Sequence, residues 1–214
     1  MWFAAGWTGS AAVLEPPASS VNWPRSVRIV PSRYPPVGLF DRVAAPEDLE
    51  AVYAIEALTN DRLRDEAGDI CLVPREERIS GPGTMPIMAA FTHPNPDGSR
   101  FSDGSFGVYY AGESLETAIA ESRFHRQRFL SWSNEPPQRL GMRAYYARID
   151  SRFHDLRGSV GDEPGLFDSD PAAYGPGQIL ASKLRAAGSN GVVYPSVRRI
   201  GGECVAIFRP RCTA

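Results

Sequence analysis

At 214 residues, with 43% hydrophobic and 22% charged side chains and a formal net charge of −2, the chain has the size and balance of one ordinary globular domain. It carries neither the basic excess of a nucleic-acid binder nor a run of like charge, so no direct nucleic-acid partner and no disordered interaction tail are expected. Three scattered cysteines and three histidines, without HExxH or CxxC spacing, set aside a disulfide framework and a metal centre and suit a reducing cytoplasm.

In chain order, residues 1–24 read as an N-terminal arm that ends in the linker Glu15-Pro16-Pro17-Ala18-Ser19-Ser20, and 25–214 as the domain. The arm lacks the basic and apolar regions of a signal peptide, and no stretch has transmembrane length, so no membrane partner is expected. Ser26–Val30 reads as a strand carrying Arg28, closed by Pro31. A helix is predicted from Pro46, which suits a first turn, to the break at Gly68, with Leu49, Val52, Ile55 and Leu58 as its stripe. Asp69–Val73 reads as a buried strand, Gly81-Pro82-Gly83 as a turn, Ile87–Phe91 as a strand and Thr92–Gly98 as a loop. Cys71 and Cys204 sit in apolar runs and are expected as buried, inert thiols.

The stretch from Gly98 to Arg126 carries the most information. A Gly/Ser-rich loop holds Arg100, the run Phe106–Tyr110 reads as a strand, and a helix opens at Ser114, a good N-cap. Leu115, Ala118, Ile119 and Phe124 form the helix's predicted core stripe, and Glu121 borders it. Gln127–Gln138 is expected to be irregular, Met142–Ile149 a strand, and Asp155–Gly175 a loop-rich lid. Gln178–Ala187 reads as a helix ended by Gly188, and Val192–Tyr194 and Cys204–Phe208 as closing strands, with Ser196 just after the first. Clustered strands without regular βαβ alternation indicate an α+β fold with a mixed or antiparallel sheet.

Singly, Glu121 is an ordinary surface carboxylate, Tyr110 a core ring and Arg100 a loop arginine. As a set they resemble the RES-domain family, toxins of type II toxin–antitoxin pairs: an arginine in a glycine-containing loop, a tyrosine in a VYYA-like strand, and a glutamate in the next helix. Arg28 in "RIV" and Ser196 in "YPS" extend the resemblance, which runs from about Arg25 to Pro210.

The resemblance implies an ADP-ribosyltransferase-like split sheet that clasps NAD and consumes it as a substrate. It implies Glu121, Tyr110 and Arg100 as catalytic residues, and Arg28, Arg100, Tyr110, Ser196 and Ser114 as ligand contacts. A cognate antitoxin is the implied partner. The longer N-terminal region is similar to the branch that includes the toxin of the ParST pair, which implies transfer of ADP-ribose to a protein, with phosphoribosyl pyrophosphate synthetase as the example. Other members deplete NAD by passing ADP-ribose to water or phosphate, and a module that only binds a nucleotide is a further alternative. The Rossmann GxGxxG and Walker lysine loops are missing from the sequence, which leaves redox use of NAD or kinase chemistry without support.

Overall fold

Two fourteen-residue strands, β1 (Ala18–Pro31) and β3 (Met142–Asp155), pair antiparallel along nearly their full lengths and form the backbone of the domain. The computed structural model describes residues 16–32, 51, 68–133, 136 and 138–213. The helix predicted from Pro46 lies outside them. β1 starts at Ala18, paired with His154, so the last residues assigned to the arm, Ala18–Pro24, belong to the sheet instead. Pro24 has no N–H to donate, and the ladder shifts register between Trp23 and Ser26, where that loss is absorbed.

The other elements are α1 (Met85–Thr92), β2 (Tyr109–Gly112), α2 (Leu115–Ser133), α3 (Gly175–Ala186), β4 (Gly191–Pro195) and β5 (Glu203–Ile207). The fold is α+β and the sheet mixed, since β3 and β4 run parallel and the remaining pairs antiparallel. The expected split sheet is corrected to a barrel in the order β1-β2-β5-β4-β3, closed between β1 and β2 at one point. The β1–β2 seam holds one register pair, Val27 with Gly112.

β4 and β5 are buried on both faces. Val193, Val205 and Ile207 pack in a cluster with Met88 and Phe91 of α1 and Ile149 and Phe153 of β3. The alternate residues Val192, Tyr194, Cys204 and Ala206 pack with Leu180, Ala181 and Leu184 of α3. This period-two division explains why both strands read as continuous apolar runs.

Several predicted elements change type. Ile87–Phe91 lies in α1 rather than a strand, because Pro86 suits a first turn and the helix is buried nearly all round. Asp69–Val73 is a 3₁₀ turn over Ile70–Leu72, capped by the Asp69 carboxylate, and Cys71 is exposed rather than buried. β2 begins three residues later than predicted. α2 continues through the segment expected to be irregular, as far as Ser133. In its stripe Ala118 is buried, but Leu115 is 37% and Ile119 48% exposed. At Gly112 a Cβ would sit 2.9 Å from the Ala118 nitrogen, so only glycine lets β2 turn this closely into α2.

Arg157 ties the strand ends together. It donates to both oxygens of Asp155 at 2.9 and 2.6 Å and to Glu203 at 2.9 Å, and Ser19 also donates to Asp155. These bonds, with Arg157 foremost, hold the Asp155 carboxyl down to about 2. A depressed carboxylate pKa stabilises the fold above its unfolded value, and that stabilisation is lost as pH falls through the folded value. Asp155→Asn should therefore cost about 1–2 kcal/mol at pH 7 after solvent screening. Urea midpoints should show the gap to wild type narrowing from about pH 5 towards pH 2.

Candidate active site

The barrel's seam is where the site opens. Beyond Val27 and Gly112 the strands part, and the Arg28 side chain reaches across, its Nη1 donating to the Tyr110 carbonyl at 3.2 Å. The space is a cleft of about 1110 Å³, large even against the roughly 300–1,000 Å³ usual for small-molecule sites. Val27–Pro31 of β1, part of α1, the 95–102 loop, β2 and one face of α2 line it, and Arg28, Arg100, Tyr110 and Glu121 all do so. Ser196 stands behind Glu121, and neither it nor Ser114 is among the residues that line the cleft.

Glu121 is held from behind. Its Oε1 accepts from the Ser196 hydroxyl at 2.7 Å. That hydroxyl oxygen accepts in turn from the Arg198 and Arg199 amides at 3.2 and 3.1 Å. With two amides on its lone pairs, the single Ser196 proton can only point at the carboxylate. Ser196 therefore orients the acid, in a turn closed by its own N–H on the Gly202 carbonyl.

Arg28 is a partly buried cation over the Tyr109 ring, 5.0 Å from its centroid. Burial lowers its pKa, yet a guanidinium stays charged at neutral pH. Its Nε is buried without a hydrogen-bond partner among the described residues. Such an unmet donor costs free energy where it stands, while the guanidinium as a whole brings positive charge to the cleft wall.

The Tyr110 hydroxyl shares a proton with Ser99 Oγ at 2.8 Å and accepts from the Phe101 N–H at 3.0 Å. Burial pushes its pKa up to about 12, so the phenol stays neutral and presents its ring to the cleft.

Arg100 lines the cleft and is also anchored to the protein. Its Nη1 and Nη2 donate to the carbonyls of Leu166 and Asp168 at 2.7 and 2.8 Å, and its guanidinium lies 4.5 Å from the Tyr174 ring centroid. One N–H of each terminal nitrogen is given to the segment 156–174, so Arg100 fastens that segment over the site. Gly177 allows this: a Cβ there would sit 2.4 Å from the Arg100 carbonyl oxygen.

Several lining residues carry no motif. Tyr174 comes from the loop-rich segment, and nothing in the sequence ties it to Arg100. His125, Arg126 and Arg128 extend the α2 face that carries Glu121; His125 follows it by four residues, and that helical spacing was the one available signal. Partial burial lowers the His125 pKa, with Glu121 opposing. Four arginines therefore line the cleft against Glu121 and Asp97, which makes it cationic in a chain of net charge −2. Among the described residues there is no group of three His, Cys, Asp or Glu able to hold a metal, and no helix long and apolar enough to cross a membrane.

The sequence profile of the RES domain matches residues 75–214, a range that includes Arg100, Tyr110, Glu121 and Ser196 but not Arg28. The uncharacterized protein y4oC of Sinorhizobium fredii (strain NBRC 101917 / NGR234) is 31% identical over 184 residues, which cover 85% of this chain and 74% of that protein. A solved structure, the M. tuberculosis MbcT–MbcA toxin–antitoxin complex, aligns with a TM-score of 0.40 at 16% identity, over 52% of this chain and 62% of the matched chain. The chain thus spans less than two thirds of that matched chain's length.

Proposed function

The chain belongs to the RES-domain family, and from that premise we propose that it breaks the bond between nicotinamide and ribose in NAD, consuming NAD as a substrate. The observation that carries this reading is one carboxylate, Glu121, oriented by Ser196 in a cleft whose charged lining is mostly arginine. Breaking the bond puts positive charge on the ribose and releases neutral nicotinamide. A carboxylate beside that sugar attracts it more strongly as the bond stretches, which is what lowers a barrier. Arg28 supplies a guanidinium in the cleft wall for the pyrophosphate, and Arg126 adds a second on the α2 side. The neutral Tyr110 ring offers a flat apolar surface to the nicotinamide.

In this reading the protein is the toxin of a toxin–antitoxin pair and passes ADP-ribose to a protein acceptor, with phosphoribosyl pyrophosphate synthetase as the first target to try. Purified protein incubated with NAD should release free nicotinamide, followed by chromatography. NAD left intact after long incubation would refute the activity. Mass spectrometry of cell extract incubated with labelled NAD should find ADP-ribose on a protein; label recovered only as free ADP-ribose or its phosphate would mean depletion instead. Expression of the chain alone should arrest growth, and co-expression of a cognate antitoxin should relieve the arrest.

A further inference from the structure

Arg198 was not singled out by any motif and does not line the cleft, yet it touches three elements around it. Its guanidinium lies 3.3 Å from the centroid of the Phe124 ring, on α2 one turn after Glu121. The same guanidinium donates through Nη2 to the Ser169 carbonyl, in the segment that Arg100 also fastens. Its backbone N–H donates to Ser196 Oγ, whose proton goes to Glu121. One residue thus grips α2 through Phe124 and through Ser196 and Glu121, and from that grip reaches the covering segment.

We infer that Arg198 is a positioning residue, which joins the segment 156–174 to the Glu121 carboxylate and sets where that carboxylate stands when the cleft is covered. The inference rests on the reading of Glu121 as the group acting on NAD. Arg100 and Arg198 take three carbonyls within four residues, those of Leu166, Asp168 and Ser169. Arg100 holds that segment from inside the cleft, and Arg198 holds it from the turn after β4, packed on Phe124 of α2. A displacement of the segment therefore pulls on Arg198, and through the Ser196 turn on Glu121. An alanine at 198 keeps the backbone amide but loses both side-chain contacts, leaving the turn free to drift against α2.

The test is a double-mutant cycle on nicotinamide release. Arg198→Ala should lower kcat about tenfold, as expected for a misplaced catalytic group, while KM for NAD changes less than about threefold. Ser196→Ala should lower kcat similarly, and the double variant should be no slower than the slower single one, because both act through one carboxylate. Losses that multiply, or a change confined to KM, would overturn the inference. Hydrogen exchange gives a readout independent of NAD: amides 166–170 and 198–199 should exchange faster in Arg198→Ala than in wild type, and unchanged exchange would overturn the clamp. A wild-type protein that releases no nicotinamide would refute the proposed activity, and exchange alone would then judge the clamp.

Discussion

Glu121→Gln should cut nicotinamide release by about a thousandfold with KM for NAD nearly unchanged. A unit charge about 4 Å from a developing ribosyl cation interacts by roughly 4 kcal/mol at an effective dielectric near 20. At about 1.4 kcal/mol per decade that is close to three orders of magnitude in rate. The amide keeps the shape of the carboxylate and can still accept from Ser196 Oγ, now at 2.7 Å from Oε1, so the fold has no reason to change. Thermal unfolding should move by no more than a degree or two, with kcat carrying the effect. A variant that kept more than a tenth of wild-type turnover would remove Glu121 from the chemistry. A variant that lost its fold would point to a structural carboxylate.

Arg28→Met should do the reverse, weakening binding while sparing the fold. The arginine is partly buried, and among the described residues it gives one bond, to the Tyr110 carbonyl, and leaves Nε unpartnered, so few contacts there offset the cost of drawing its charge out of water. Replacing such a cation by an apolar chain of similar length is often neutral or stabilising, so stability should stay within about 1 kcal/mol of wild type or rise. A charge-assisted bond to phosphate contributes about 1.5–3 kcal/mol, so KM for NAD should rise roughly 10- to 100-fold. The thermal shift that NAD gives wild type should be lost in Arg28→Met. Unchanged KM together with a collapse in stability would assign Arg28 to the seam between β1 and β2 alone.

The contrast between the two arginines shows how residue type misleads without packing. Both are expected to hold pyrophosphate, and in sequence they are equivalent: each adjoins a strand or loop near aromatic residues. In the fold Arg28 leaves Nε without a partner among the described residues, whereas each terminal nitrogen of Arg100 donates to a carbonyl, 66 and 68 residues further along the chain. A guanidinium has the same fork in either setting, and only the long-range partner decides which anion or dipole it meets.

What the sequence determined by itself is local. The end of α3 at Gly188, the β4 and β5 runs, the Ser114 cap of α2, which accepts from the Thr117 amide at 3.3 Å, and the order of Arg100, Tyr110 and Glu121 all follow from short-range spacing and backbone preference. Tertiary structure decided the rest. Residues 85–92 became a helix and 70–72 a 3₁₀ turn because burial against Ile149, Phe153 and Tyr109 outweighs a weak strand preference in a short apolar run. The barrel closed at one residue pair, a long-range event that no hydrophobic period encodes. The Ser196–Glu121 bond spans 75 residues, and the turn that aims it exists only once β4 and β5 have paired. Spacing along the chain names the side chains of a site, but direction and hydrogen-bond occupancy belong to the packed molecule, because they depend on partners far away in sequence.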